Sequence, residues 1–343
     1  MPPRDRSLGT LREFGVVDMA QRFYSGSRPW ARALAMESAS GIIRVHPGDC
    51  DGYVPGTEPP GTGRQRMPPH QAWTTPTQET TTPLPAWFLA HGSPMLAIQD
   101  TAFTQALARL WAGMPVPSAI VVISAHWQTR GGLRVTSSLR PETVHDFGGF
   151  DRSLHAISYP APGAPDLAGQ VAHLVAEAGF DVRLDPSRGL DHGVWVPLRR
   201  AFPEASVPVI QLSLPFPARP AELLRLGRAL APLRQRGVLL VGSGGIVHNL
   251  RTVTLEEDEA PTPDWARAFD AWVRDRLAKL DLEALADYAG RAPHAALAVP
   301  TSEHFEPLFV VLGTVGAHDR VVTLFEGFQH GSLSLRSVAL TTN

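Results

Sequence analysis

The sequence predicts an α/β fold in which a mostly parallel central sheet carries helices on both faces. Two observations support this prediction. Short apolar runs of β type alternate with segments whose apolar residues recur at helical spacing. Several of the apolar runs end in turns that contain glycine. Such alternation is typical of βαβ units, whose parallel strands are covered on both sides.

Apolar runs from about residue 85 onward are predicted to form strands. They cover residues 87–90, 120–124, 133–137, 180–184, 207–214, 238–241, 320–325 and 332–340. Stretches with helical spacing lie between or after them, at residues 100–110, 167–178, 194–201, 221–233, 263–280 and 303–312. No internal repeat is visible, so these elements are expected to form a single domain.

Residues that favour helix ends support several of these boundaries. Pro115 and Pro117 close the first helix, since proline cannot continue one. Thr262 is expected to be the N-cap of helix 263–280, with a proline at its first position. Thr301 or Ser302 is expected to cap the last helix. Between these elements, segment 141–165 is predicted to be a loop, and loops of this length inside compact domains are usually functional.

Composition excludes several classes of protein. The formal net charge is −2 and the sequence pI is about 6.7, so no nucleic-acid or membrane-surface partner is expected. The chain contains no uninterrupted apolar run long enough to span a membrane, and no secretory signal is expected. Its single cysteine, Cys50, excludes an internal disulfide, so a cytoplasmic location is expected.

Histidines follow three of the predicted strands. His91, His126 and His248 each lie at or just past the carboxyl end of an apolar run. These ends meet at the sheet edge where open α/β proteins bind ligands. A lone histidine after a strand is more often a turn or core residue than a metal ligand. A fourth histidine, His192, lies in another glycine-flanked turn, and the repetition predicts a metal site.

Seven motifs carry a specific resemblance. They are HGSPM at 91–95, SAHW at 124–127, VHDFGGF at 144–150, YPAPG at 159–163, GLDHGVWVPL at 189–198, GSGGIVHNL at 242–250 and PTSEHFEPL at 300–308. In this order they resemble the class III extradiol ring-cleavage dioxygenases of the LigB-like superfamily, and within them most closely the DOPA 4,5-dioxygenase branch. The resemblance runs from about residue 85 to the C-terminus.

The resemblance implies the roles of the site residues. His91, His126 and His248 would bind the metal, which is Fe(II) during oxygenase turnover. Most non-haem Fe(II) oxygenases use two histidines and a carboxylate, whereas three neutral imidazoles also suit Zn²⁺. Purified or resting protein is therefore expected to hold Zn²⁺. His192 would be the catalytic acid/base, or else a fourth ligand of the resting metal.

Three further residues have secondary roles in this interpretation. Asp191 would orient the ring of His192 or only cap the following helix. His145 would hydrogen-bond a bound phenolate or oxygen. His304 would face the pocket from the first turn of its helix, although a polar residue near a helix cap explains it equally well. His145 and His304 are thus candidate catalytic residues.

The implied reaction is the 4,5-cleavage of a catechol such as L-DOPA to a semialdehyde, with O₂ as co-substrate. Two other classes stay open. A zinc hydrolase would use the same histidines to activate water, and a structural protein would close the site with four histidines. Glycines beside His91, His192 and His248 argue against closure, since they allow a ligand to approach.

The N-terminal part differs from the rest. Residues 1–82 contain a Pro/Gly/Thr-rich stretch with little to bury and are expected to be disordered, whereas 83–343 form the catalytic domain. Either 1–82 is a flexible extension, or translation starts at Met67. The second explanation is favoured, because the resemblance begins shortly after Met67 and nothing before it resembles the family.

Overall fold

Eight strands form the central sheet of the computed structural model, which describes residues 82–254, 257 and 260–342. The expected disorder of residues 1–82 therefore concerns a segment that lies, except for Thr82, outside the described residues. The strands in the described part of the chain are β1 (Ala86–Ala90), β2 (Ala119–Thr129), β3 (Leu133–Thr136), β4 (Val182–Asp185), β5 (Val209–Pro215), β6 (Val238–Gly244), β7 (Asp319–Phe325), β8 (Phe328–Gln329), β9 (Leu333–Ser334) and β10 (Ser337–Thr342). All described residues belong to one compact unit.

The sheet has the order β4-β3-β5-β2-β6-β1-β10-β7. Its centre is parallel, because β2 pairs in parallel with β5 and β6, and β6 with β1. Strand β10 adds antiparallel to β1, and β7 antiparallel to β10. Strands β8 and β9 form a separate hairpin. The predicted mostly parallel sheet is confirmed.

Helices cover both faces of this sheet. They are α1 (Ala102–Arg109), α2 (Pro165–Glu177), α3 (His192–Ala201), α4 (Pro220–Leu230), α5 (Asp264–Ala278), α6 (Leu282–Ala286), α7 (Tyr288–Arg291), α8 (Ala295–Ala298) and α9 (Glu306–Gly313). Short 3-10 helices occupy Pro94–Ala97, Arg152–Ala156 and Ala231–Arg236.

The two apolar layers follow from the alternation of side chains along a strand. Trp87 of β1 joins one layer, which contains Phe103 of α1 and Trp195 of α3. Its neighbour Phe88 joins the other layer, which contains Phe269 of α5 and residues of α2, α4 and α9. Both faces of the central strands are therefore buried, as a parallel sheet requires.

Two predicted helix starts are wrong. The N-cap of α5 is Pro263 instead of Thr262, and it provides no side-chain cap. Helix α9 begins at Glu306, so Thr301 and Ser302 do not cap it directly. Pro307 explains the later start, because proline lacks an N–H and fits only the first turn of a helix. The preceding residues form a turn in which Ser302 O accepts from the amides of Phe305 and Glu306.

Two predicted strands also differ from the structure. Strand β2 extends to Thr129, so His126 lies inside the strand and not after it. Its pairing with β5 is irregular between Ile123 and Gln128. The predicted strand 332–340 is divided between β9 and β10. Among the described residues, no helix is long and apolar enough to cross a membrane.

Candidate active site

His91 and His126 meet at the carboxyl edge of the sheet. Their Nε2 atoms lie 3.1 Å apart. The Nδ1 atom of His91 lies 3.0 Å from Ser243 Oγ at the end of β6, and the Ser243 hydroxyl donates to the carbonyl oxygen of Gly193. A hydroxyl has one proton, so Ser243 must accept from His91 Nδ1–H. This leaves His91 Nε2 unprotonated and able to bind a cation.

His192 lies beside this pair, at the start of α3. Its ring centroid is 3.9 Å from that of His126. Asp146 Oδ1 accepts from both the backbone N–H and the Nδ1 of His192, at 2.9 Å each. The second Asp146 oxygen is 3.7 Å from His126 Nδ1. Burial raises the pKa of Asp146, but the bonds from His192 outweigh it and hold that pKa below its usual value.

His304 and His248 form a stacked pair on the other side of the cluster. Their ring centroids are 3.5 Å apart and their planes differ by 5°. Glu303 Oε1 lies 3.1 Å from His304 Nδ1, while His304 Nε2 is buried without a hydrogen-bond partner. Burial raises the pKa of Glu303, but the hydrogen bond and the electrostatic interaction with His304 lower that pKa to about 2. The unpaired Nε2 is the atom that His304 can offer to an ion.

Among the described residues, three groups of side chains bring potential ligand atoms within 4.8 Å of one another. The first consists of His91, His126 and His304. The two others each include a carboxylate: His126 with Asp146 and His192, and His248 with Glu303 and His304. His304 therefore joins the two expected ligands His91 and His126, and His248 stacks directly on it.

Three histidines of the cluster are held in the neutral form that binds metals. Burial lowers the pKa of His91, His126 and His248 well below the usual value, and the neighbouring histidines lower it further. A neutral imidazole is the form in which histidine ligates a cation. The neutral rings and the unpartnered His304 Nε2 therefore fit a metal ion.

Asp191 has neither of the two roles considered for it. It occupies the N-cap position of α3, but its side chain makes no cap hydrogen bond. Its fully buried carboxylate instead accepts from Ser124 Oγ at 2.7 Å, from Gln211 Nε2, and from Arg188 at 3.2 Å. Burial, followed by the nearby Asp146 charge, raises the pKa of Asp191. Asp146, which sequence reasoning missed, orients His192.

His145 lies behind the cluster. Its Nε2 is 3.0 Å from the carbonyl oxygen of Ile157. Within the described part of the chain its ring contacts are Phe147, His155 and Trp195, and none is a residue of the histidine cluster. A direct role for His145 stays a prediction.

The glycines that flank the histidines serve packing. A side chain at Gly193 would collide with Ser124 and press on the ring of His126. One at Gly92, where φ is +56°, would collide with Leu96. The space beside these two glycines is therefore filled by the protein itself, and the expectation that it admits a ligand was wrong there.

Comparisons with known proteins agree with this site. The family model described as the catalytic LigB subunit of aromatic ring-opening dioxygenase matches residues 85–334. The 4,5-DOPA dioxygenase extradiol of Escherichia coli (strain K12) is 41% identical over 265 residues, which are 76% of this chain and 96% of that protein. The 4,5-DOPA dioxygenase extradiol of Beta vulgaris is 38% identical over 262 residues, 75% of this chain and 96% of that protein.

A solved structure is also similar. It is the crystal structure of an uncharacterized protein from Escherichia coli K12, which has a TM-score of 0.64 and 37% sequence identity. The match covers 75% of this chain and 99% of that one.

Proposed function

This chain belongs to the LigB family of aromatic ring-opening dioxygenases, and on that premise we propose that it cleaves a catechol such as L-DOPA at the 4,5 bond. It is an extradiol ring-cleaving dioxygenase, which implies a small aromatic substrate and O₂. The choice of catechol is supported by the relatives named 4,5-DOPA dioxygenase extradiol, which match at 34–41% identity.

One observation supports this function above the others. A group of three histidines, His91, His126 and His304, lies directly beside His192, whose ring is hydrogen-bonded to a carboxylate. The three histidines provide the ligands of an ion, and His192 provides an acid/base next to it. A zinc hydrolase would also use such a site, but the family membership favours the oxygenase.

We propose that His91 and His126 bind the ion together with a third imidazole from the stacked pair His248 and His304. The pair lies where the sequence predicted one ligand, His248. The ion in turnover is Fe(II), and Zn²⁺ occupies the site in resting or purified protein. When bound, Fe(II) supplies the Lewis acidity and the redox chemistry that bring a catechol and O₂ together.

His192 and its partner move the proton. With Nδ1 bonded to Asp146, the Nε2 atom of His192 is left to accept a proton from a catechol hydroxyl. The Asp146 carboxylate then stabilises the imidazolium that forms. Ser243 fixes the ring of His91, so that its Nε2 keeps facing His126.

The test is oxygen consumption by protein stripped of metal with a chelator and reloaded separately with Fe(II) and Zn²⁺. Protein with Fe(II) should consume O₂ in the presence of L-DOPA and give a yellow product. The Zn²⁺ form should bind the diol and leave it intact, because zinc has no accessible redox change. Absence of O₂ uptake with Fe(II) across several catechols, together with zinc-dependent ester or amide cleavage, would favour the hydrolase.

A further inference from the structure

We propose that Phe147 forms the wall against which the catechol ring packs, and that it limits which ring substituents are accepted. The inference rests on the proposed function of the site, because it assumes that a catechol binds beside His192. Phe147 belongs to the VHDFGGF motif and directly follows Asp146, the partner of His192.

The first observation is the contact between Phe147 and the acid/base. The Phe147 ring centroid lies 5.5 Å from that of His192, and the planes are perpendicular at 89°. Phe147 is only partly buried. Adjacent residues of one loop thus contact the same histidine in two ways, with the Asp146 carboxylate at Nδ1 and the Phe147 ring against the imidazole.

The second observation is that the wall has firm support. Trp195 Nε1 donates to the carbonyl oxygen of Val144 at 2.9 Å, and the Val144 amide donates to Leu190. The Phe147 ring itself packs on Trp195, with 6.1 Å between ring centroids. His145, Phe150 and His155 surround it at 5.9, 5.7 and 5.2 Å. The ring is therefore positioned before any ligand binds, which lowers the cost of binding.

Geometry places a bound catechol next to this ring. A hydroxyl that gives its proton to His192 must come within about 2.6–3.2 Å of the imidazole nitrogen. Because the Phe147 ring contacts the ring of His192, we infer that the carbon ring attached to that hydroxyl packs against Phe147, at the roughly 4.5–7 Å at which aromatic rings pair. Beyond Phe147 the loop continues through Gly148, around which there is open space. Removal of the phenyl ring would thus leave room for larger substituents.

The test compares four single variants of the full chain. Phe147→Ala removes the ring, Phe147→Leu keeps apolar volume without a π face, and Phe147→Tyr restores the aromatic ring. Phe150→Ala is the matched control, since Phe150 lies in the same loop and contacts Phe147 but has no ring contact with His192 in the described structure. Each variant is loaded with Zn²⁺, and its affinity for catechol, 4-methylcatechol and L-DOPA is measured by calorimetry. KM and kcat follow with Fe(II).

We expect Phe147→Ala and Phe147→Leu to weaken catechol binding and raise KM by about five- to tenfold, with much less effect on kcat and none on metal content. Phe147→Tyr should bind like the wild type. In Phe147→Ala the ratio of the affinities for catechol and L-DOPA should move closer to one. If Phe147→Ala does not fold, the Leu and Tyr variants decide.

Unchanged affinity in Phe147→Leu would overturn the proposal. An equal loss of affinity in Phe150→Ala would overturn it too. The loss would then come from a general disordering of the loop and not from removal of the Phe147 ring. Failure of the proposed function has a different signature. In that case wild-type protein with Fe(II) would consume no O₂ with any catechol, whereas the Phe147 variants could still be compared by their affinity for the diol.

Discussion

The hydrogen-bond partners of His91 and His192 separate their roles. His91 Nδ1 bonds to the neutral hydroxyl of Ser243, while His192 Nδ1 bonds to the carboxylate of Asp146. A carboxylate stabilises a protonated imidazole far more than a hydroxyl does. His91 is therefore suited to remain neutral and bind an ion, and His192 is suited to take up a proton.

This difference predicts the metal content of histidine variants. His91→Ala and His126→Ala should lose most of their bound metal, because each removes one of the three proposed ligands. Of His248→Ala and His304→Ala, the variant that removes the third ligand should lose as much. His192→Ala should keep its metal and lose turnover. Elemental analysis of the purified variants measures this.

His173→Ala serves as the control for these variants, since His173 is an exposed residue of α2. It should retain wild-type metal. If His192→Ala proves as free of metal as His91→Ala, then His192 is a structural ligand and the acid/base assignment fails.

Asp146 carries a second prediction at this scale. Asp146→Asn should lower kcat by about 100-fold, because general acid–base catalysis contributes about 10²–10⁴-fold and depends on the orientation and charge of the base. Metal content should not change. Asp151→Asn is the control, since Asp151 lies in the same loop and caps a short exposed turn. Steady-state kinetics with L-DOPA decide, and equal kcat in both variants would remove Asp146 from the mechanism.

The candidate histidines could be predicted from sequence, but their partners could not. Strand ends mark His91 and His248 locally, and a glycine-flanked turn marks His192. Asp146 and His192 are separated by 46 residues in sequence. A periodic pattern of residues cannot predict a contact over such a separation. Asp191 adjoins His192 in sequence and was the obvious partner, yet its side chain points toward β2 and β5 instead.

At the scale of elements, the irregular part of β2 is what brings His126 into the site. The strand leaves its register with β5 between Ile123 and Gln128. Ser124 in this stretch donates to Asp191 and accepts from the amide of His126 at 3.2 Å. The buried Asp191 carboxylate thus joins β2 to β5 and to the start of α3.

Replacement of Asp191 should therefore destabilise the fold. Asp191→Ala removes the carboxylate that accepts from Ser124, Gln211 and Arg188, and breaking a buried charge pair costs about 3–5 kcal/mol of unfolding free energy. We expect about 3 kcal/mol, since Arg188 is partly exposed. Urea denaturation of metal-free protein gives the value. Asp166→Ala, on the exposed first turn of α2, should change it by less than about 0.5 kcal/mol; a similar loss in both variants would contradict the buried network.

The elements themselves were largely predictable, because strands buried on both faces appear as short continuous apolar runs. The ends of the helices and strands were less predictable. The apolar signal of β2 ends near Ser124, but hydrogen bonding carries the strand to Thr129. The start of α9 depends on Pro307 and on the turn at Ser302. Local helix propensities do not predict the effect of either one on the helix start.

At the scale of the whole molecule, the catalytic domain should be independent of the N-terminal segment. The amide of Leu84 donates to Arg234 O at 3.0 Å, and Arg234 Nε donates back to Leu84 O at 2.7 Å. The family match begins at residue 85. We propose that residues 83–343 form the catalytic domain. Deletion of residues 1–66 should change the melting temperature by less than about 2 °C and leave metal content unchanged; loss of many degrees would make the segment part of the fold.

The buried histidines also link the stability of the metal-free protein to pH. In an unfolded chain histidine takes up a proton near pH 6.5, whereas burial keeps the pKa of His91, His126 and His248 well below that value in the folded protein. Between these two pKa values the unfolded chain binds more protons, so the free energy of unfolding should fall as pH is lowered below about 6.5. Each histidine contributes up to about 1.4 kcal/mol per pH unit.

Urea denaturation of metal-free protein at pH 7.5 and 5.5 measures this dependence, and the double variant His91→Gln/His126→Gln is the control. The variant should lose less stability than the wild type over this range, because two of the three histidines are gone. Zn²⁺ binds the neutral rings of the folded state, so it should stabilise the wild type more at pH 7.5 than at pH 5.5. Equal pH dependence in wild type and variant would show that other groups dominate, and that the histidines are not held neutral by the fold.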